Sequence, residues 1–140
     1  MPMITVQYAT PTGKTGLAPA IAATVAKFNA SILGKDPNIT AINVEESDAA
    51  TWFIGGRPLT QHQLAAFWVD VRITDGTNTR EEKAAFVAAV FDAMKGLLGP
   101  LHNECYVHVD DVRGDAYGYG GLTQNERYFA GKLKADAKAA

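Results

Sequence analysis

PMITVQY at residues 2–8 comes back as FWVDVRI at residues 67–73, 65 positions later, and that recurrence decides the fold. Ile4 falls on Val69 and Val6 on Val71. The register then holds without a gap: Val25 meets Val90, Leu33-Gly34 meets Leu98-Gly99, Asn38 meets Asn103, Val44 meets Val109, and Gly55-Gly56 meets Gly120-Gly121. Apolar class is kept where identity is not, as in Ile21 with Phe86, Ile32 with Leu97 and Trp52 with Tyr117. Agreement over that length at one displacement is the signature of an internal duplication.

Each copy changes period in the order strand, helix, strand. Ile4, Val6 and Tyr8 alternate with Met3, Thr5 and Gln7, and Val69, Val71 and Ile73 alternate with Trp68, Asp70 and Arg72, as half-buried strands require. Leu17, Ile21, Val25, Phe28 and Ile32, then Phe86, Val90, Met94 and Leu97, recur at helical spacing. Thr79 with Glu82 predicts a capping box, Thr15 is a candidate cap for the first helix, and Pro19 fits a first turn. Gly34 and Gly99-Pro100 are the stops. A second alternating strand follows in each copy, at Ile42 and Val44 and at Val107 and Val109. After it comes an aromatic-glycine piece, WFIGG at 52–56 or YGYGG at 117–121. The pattern predicts an α+β fold: tandem β-α-β repeats, at about 2–57 and 67–122, forming a four-stranded sheet with two helices on one face. A C-terminal helical tail over 123–140, opened by Thr123 and Glu126, completes one domain spanning 1–140.

The composition narrows the function classes. The 140 residues carry a formal net charge of −2 with no basic cluster, so nucleic acid is not an expected partner. No apolar run is long enough for a bilayer and no leader pattern precedes the first strand, which gives a cytoplasmic expectation with no membrane partner. The single Cys105 sits in the alternating stretch with Val107 and Val109 and reads as a structural thiol. His62 and His102 flank loops without metal-ligand spacing; no metal and no cofactor are expected. The face of the sheet away from the helices is polar, with Thr5, Gln7, Asn43, Glu45, Asp70, Arg72, His108 and Asp110, and must meet water or another subunit.

Proline directly after Met1, a β-α-β unit, and a terminal aromatic-x-aliphatic-Gly-Gly ribbon together resemble the tautomerase superfamily. Over roughly residues 2–121 the layout is similar to its fused two-unit members, typified by cis-3-chloroacrylic acid dehalogenase and malonate semialdehyde decarboxylase. The resemblance implies that Met1 is removed and that Pro2, now a secondary amine, is the catalytic group. An ordinary α-amino group has a pKa of roughly 7.7–8.0, and an apolar surrounding lowers it, leaving a neutral base. Such a base removes a proton beside a carbonyl and returns it elsewhere. The second copy has Phe67 at this place, internal and without an amine. Two fused units standing for two chains also imply that a ring of six single units becomes a homotrimer.

Carried over position by position, the resemblance gives Asn29 and His108 as substrate-binding residues, where the dehalogenase-like members have a histidine and a tyrosine. Gly76 and Asn78 stand where those members carry an arginine pair, and Ala116, beside Asp115, stands for a water-activating glutamate. The missing positive charge falls to Arg72 or Lys14. On residue type alone, Arg72 serves equally as an ion-pair partner of Glu45 or Asp110, His108 as an interface histidine, and Asn29 as a solvent-facing or capping group. Trp52 and Tyr117 read as packing anchors of the two ribbons. The leading expectation is a cofactor-independent tautomerase acting on a small 2-oxo or enol acid. Decarboxylation, hydration or dehalogenation of a 3-carbon acid is the alternative, against which the lost arginine pair counts. A non-catalytic oligomeric module is the third reading.

Overall fold

The computed structural model describes residues 2–139. Strand β1 (Met3–Ala9) leads into helix α1 (Ala18–Ser31) and strand β2 (Ala41–Glu46); β5 (Ala66–Thr74), α3 (Arg80–Leu98) and β6 (Tyr106–Val112) repeat the order. Between the copies lie a hairpin of β3 (Phe53–Ile54) and β4 (Arg57–Pro58) and a single-turn helix α2 (Leu59–His62). The second copy ends in the corresponding hairpin, β7 (Gly118–Tyr119) with β8 (Leu122–Thr123), and in helix α4 (Gln124–Ala139).

The 4-stranded sheet has the order β2-β1-β5-β6. Each copy contributes a parallel pair, with Met3 opposite Ala41 and Trp68 opposite Tyr106, the same displacement along the chain in both. The copies meet through antiparallel β1 and β5, where Thr5 faces Asp70. Those two residues are each other's counterparts in the repeat, so the register itself places an approximate two-fold axis between them. One face of the sheet is dry. Ile4, Val6, Val69, Val71 and Ile73 are fully buried there against Ile21, Val25, Phe86, Val90 and Met94 of α1 and α3. Burying such side chains stabilises by about 1.5–3 kcal/mol each before chain entropy is subtracted.

The helix ends differ. Thr79 accepts from the Glu82 N–H at 3.1 Å while the Glu82 carboxylate accepts from the Thr79 N–H at 2.8 Å, the capping box read from the sequence. The same exchange links Thr123 and Glu126 at 3.0 and 3.1 Å. Thr15 is not a cap: α1 begins after Leu17, with no side-chain cap bond and with proline in its first turn, where a missing N–H leaves fewer orphan donors to satisfy.

Both glycine pairs turn hairpins. Gly55 and Gly56 have φ of 60° and 78°, and Gly120 and Gly121 have φ of 59° and 86°, the doubly left-handed turn that matches strand twist. Each hairpin is pinned in the same way by the helix that follows it. The Leu59 N–H donates to the Trp52 carbonyl at 3.0 Å, as the Gln124 N–H does to that of Tyr117 at 2.8 Å. His62 Nε2 meets the Ile54 carbonyl at 2.8 Å, and Arg127 donates to that of Tyr119 at the same distance. Helix α2 is therefore the stunted counterpart of α4, cut short because the chain must return as β5. No helix among the described residues is long and apolar enough to cross a membrane.

Because only one of the two threonines caps a helix, Thr79→Ala should lower unfolding free energy by about 1 kcal/mol while Thr15→Ala leaves it within about 0.5 kcal/mol. Urea titration followed by circular dichroism checks the pair. Equal losses would refute the assignment of the caps.

Candidate active site

A cavity of about 760 Å³ opens where the start of β1, the turn into β2, the strand β5 and the second hairpin converge. Pro2 lines it and is itself buried, its carbonyl accepting from the Ala41 N–H at 3.2 Å. Met1, whose removal the sequence reading requires, lies outside the described residues. Parallel β2 and antiparallel β5 flank β1 on its two sides and fix the position of Pro2. Antiparallel pairing sets Met3 opposite Arg72, so a residue of the second copy's strand reaches the head of the first.

Tyr117 closes the site from the hairpin. Its hydroxyl accepts from the Met3 N–H at 3.0 Å and lies 3.4 Å from the Arg72 carbonyl, to which it donates. The ring thereby ties the residue after Pro2 to the strand carrying Arg72. Burial pushes the Tyr117 phenol above its ordinary value, against the opposing pull of the Met3 N–H and the Arg72 charge. It is a proton-bearing group throughout the neutral range.

Among the described residues lining the cavity, Arg72 is the cation and Asp70 the carboxylate. Arg72 forms no ion pair with Glu45, Asp110 or any other described residue, which leaves its guanidinium available for a carboxylate ligand. One Asp70 oxygen is buried without a hydrogen-bond partner. Thr5, Asn38 and Thr40 supply further polar atoms, and Ile39 and Tyr119 supply apolar wall.

The four residues singled out from sequence do not all meet. Pro2 and Arg72 share the cavity. Asn29 is neither solvent-facing nor a cap: it is 0% exposed and donates to the Thr40 hydroxyl at 2.9 Å, behind a residue that lines the cavity. Packing of α1 on β2 accounts for that burial. His108 stands on β6 opposite Asp70, exposed on the polar face and outside the cavity lining. Lys14 is exposed in the loop before α1 and is also outside it. Tyr117, read as a packing anchor, lines the site, and Asp70 and Thr40 were not singled out at all. The signal for Asp70 was available in the repeat, since a symmetric antiparallel junction brings the centre of the second copy's strand to the first.

With this geometry in place, the fold is the tautomerase fold, with two β-α-β units in one chain. Solved structures share it at high similarity. A symmetric trimer of wild-type fused 4-OT superposes with a TM-score of 0.74 at 22% identity, covering 88% of this chain and 96% of that one. Pt0534 inactivated by 2-oxo-3-pentynoate gives a TM-score of 0.76 at 15% identity, covering 89% and 98%. A macrophage migration inhibitory factor-like protein from Entamoeba histolytica gives 0.70 at 16% identity, covering 87% and 97%. No family model matches the sequence, and no curated protein does.

Tyr117→Phe keeps the ring and deletes both hydroxyl bonds, so it should cost about 1 kcal/mol of stability near pH 7. Because the phenol's folded pKa lies above its ordinary 10.0, the unfolded chain ionises first and gains stability there. The wild type's advantage over Tyr117→Phe is then whole below pH 10 and shrinks as pH rises toward the folded value. Denaturation of both proteins at pH 7 and pH 10.5 measures it; an advantage that grows with pH would contradict the buried-phenol assignment.

Proposed function

We propose that the protein is a cofactor-independent tautomerase that uses the free amine of Pro2, exposed by removal of Met1, to move a proton within a small 2-oxo or enol acid. The observation that carries this reading is the burial of Pro2 at a cavity that also holds Arg72, which forms no ion pair among the described residues. Burial favours the uncharged form of an amine, which is the form that accepts a proton.

The geometry supports a definite division of roles. Arg72 holds the substrate carboxylate through its paired N–H groups. The Pro2 nitrogen takes the enol hydroxyl proton; the oxygen electrons form the carbonyl, the carbon–carbon double bond becomes single, and the same nitrogen returns the proton to carbon. Tyr117 is a positioning residue, holding the Met3 N–H and with it the direction of the chain at Pro2. Asn29 positions Thr40, and His108, outside the cavity lining, faces the neighbouring subunit from the polar face. Decarboxylation or water addition would call for a second cation or an activating carboxylate, and the cavity lining offers Asp70 alone for the latter.

Assembly as a homotrimer belongs to the same proposal. It draws on the trimeric fused 4-OT that shares the fold and on the exposure of Tyr128, Phe129 and Leu133, at 65%, 59% and 70%, along α4.

Pro2→Ala retains an amine but makes it primary, and should lower enol-to-keto turnover of phenylenolpyruvate by at least ~10²-fold, the scale of a lost general base. Spectrophotometric loss of the enol measures it. A residue inserted before Pro2 should abolish turnover while leaving the circular dichroism spectrum unchanged. The inactivation of Pt0534 by 2-oxo-3-pentynoate suggests a chemical counterpart. Here the amine would add to the alkyne, forming a nitrogen–carbon bond with proton transfer to the adjacent carbon, and the mass increase should map to the N-terminal peptide. Full turnover by Pro2→Ala, or labelling elsewhere only, would remove Pro2 from the mechanism.

A further inference from the structure

The repeat places a second cavity at the pseudo-symmetric counterpart of the first. Carrying the repeat register across, Trp52 takes the place of Tyr117, Trp68 that of Met3, and Tyr106 that of Ala41. Those three residues wall a second cavity of about 640 Å³, the pseudo-symmetric partner of the first. Its amine position is gone: Phe67, in the place of Pro2, is 0% exposed in the core. We propose that this second cavity is a ligand site for a small aromatic carboxylate, which it binds without turnover.

The wall chemistry defines the ligand's body. Trp68 and Tyr106 lie with ring centroids 5.6 Å apart and interplanar angle 42°, and both are left open, at 39% and 52% exposure. Aromatic faces of this kind take a planar ring edge-on or offset, and the volume falls within the roughly 300–1,000 Å³ of small-molecule sites. The polar chemistry defines its charge. Glu104, the carboxylate among the described lining residues, already accepts from the Tyr106 hydroxyl. Arg57 has no ion pair and no side-chain hydrogen bond among the described residues, so of the two charged groups lining the cavity it is the one with no side-chain partner and open to a ligand. His102 adds a donor. Its Nδ1 accepts from the Glu104 N–H at 3.0 Å, which places the proton of the neutral ring on Nε2. His62, edge-on to it with centroids 4.9 Å apart, is spent on the Ile54 carbonyl. A carboxylate on Arg57 with the ring against Trp68 satisfies both halves of the site.

The site carries its own reporter. The chain has two tryptophans; both Trp52 and Trp68 line this cavity and a smaller one beside it at Gln7 and Ser47, and neither lines the first, so Arg57, which lines this cavity alone of the three, assigns the signal. Titrating phenylacetate into the full-length protein should produce a saturable change in tryptophan emission, unaltered in Pro2→Ala. In Arg57→Gln the apparent Kd should rise at least ~10-fold, the scale of one lost charge-assisted contact, and Arg57→Lys should recover part of it. Phenethylamine, with the same ring and the opposite charge, should give no saturable change at the same concentrations. That comparison needs no variant and stands even if Arg57→Gln does not fold. A linear, non-saturating response to phenylacetate, equal affinity in Arg57→Gln, or phenethylamine binding as tightly would overturn the proposal.

Discussion

The antiparallel pairing of β1 with β5 through Thr5 and Asp70 is the contact on which the rest of the molecule depends. A β-α-β unit alone buries one face of two strands under one helix and leaves an open strand edge. Joining two such units edge to edge at their first strands makes one sheet whose central pair is fully buried on the face that both helices cover. It also fixes which residues meet. With Met3 forced opposite Arg72, the head of the chain, the second copy's cation and the second copy's hairpin share one corner.

An approximate two-fold axis at that junction creates every local environment twice, and the sequence then makes the two members unlike. In the first, the head of the strand is Pro2, with a tyrosine hydroxyl holding the next residue. In the second, the strand is entered from α2 through a tight left-handed Gln63, so its head is an ordinary peptide and Phe67 fills the core instead. An internal residue can never present a secondary amine. Bulk stands there instead: Trp52, Trp68 and Tyr106 occupy the places of Tyr117, Met3 and Ala41.

Much of the fold was legible in the sequence because a repeat reports every element twice. The start of α1 is the exception: the register of α3 would begin it at Thr15, and it begins at Ala18. What escaped was set by tertiary geometry. Helix α2 has no apolar period of its own in four residues and is recognisable only as the counterpart of the first turn of α4. Pro2 and Arg72 could be named from chain position and residue type. Asp70 and Thr40 enter the site through strand register, and the Tyr117 hydroxyl through the turn that aims it, neither of which leaves a local mark. Asn29 misled for a related reason: an amide on a helix is usually wet, and its burial follows only from where β2 packs.

Everything proposed for the first cavity rests on one premise, that a proline nitrogen there is an amine. The chain contains six prolines, and five would be tertiary amides in any state of the protein. Nitrogen-15 NMR of proline-labelled protein across pH 4–10 separates them, since only an amine nitrogen titrates. The account predicts a single titrating proline nitrogen with a midpoint below the roughly 7.7–8.0 of an ordinary α-amino group. Six nitrogens that stay constant over that range would contradict it.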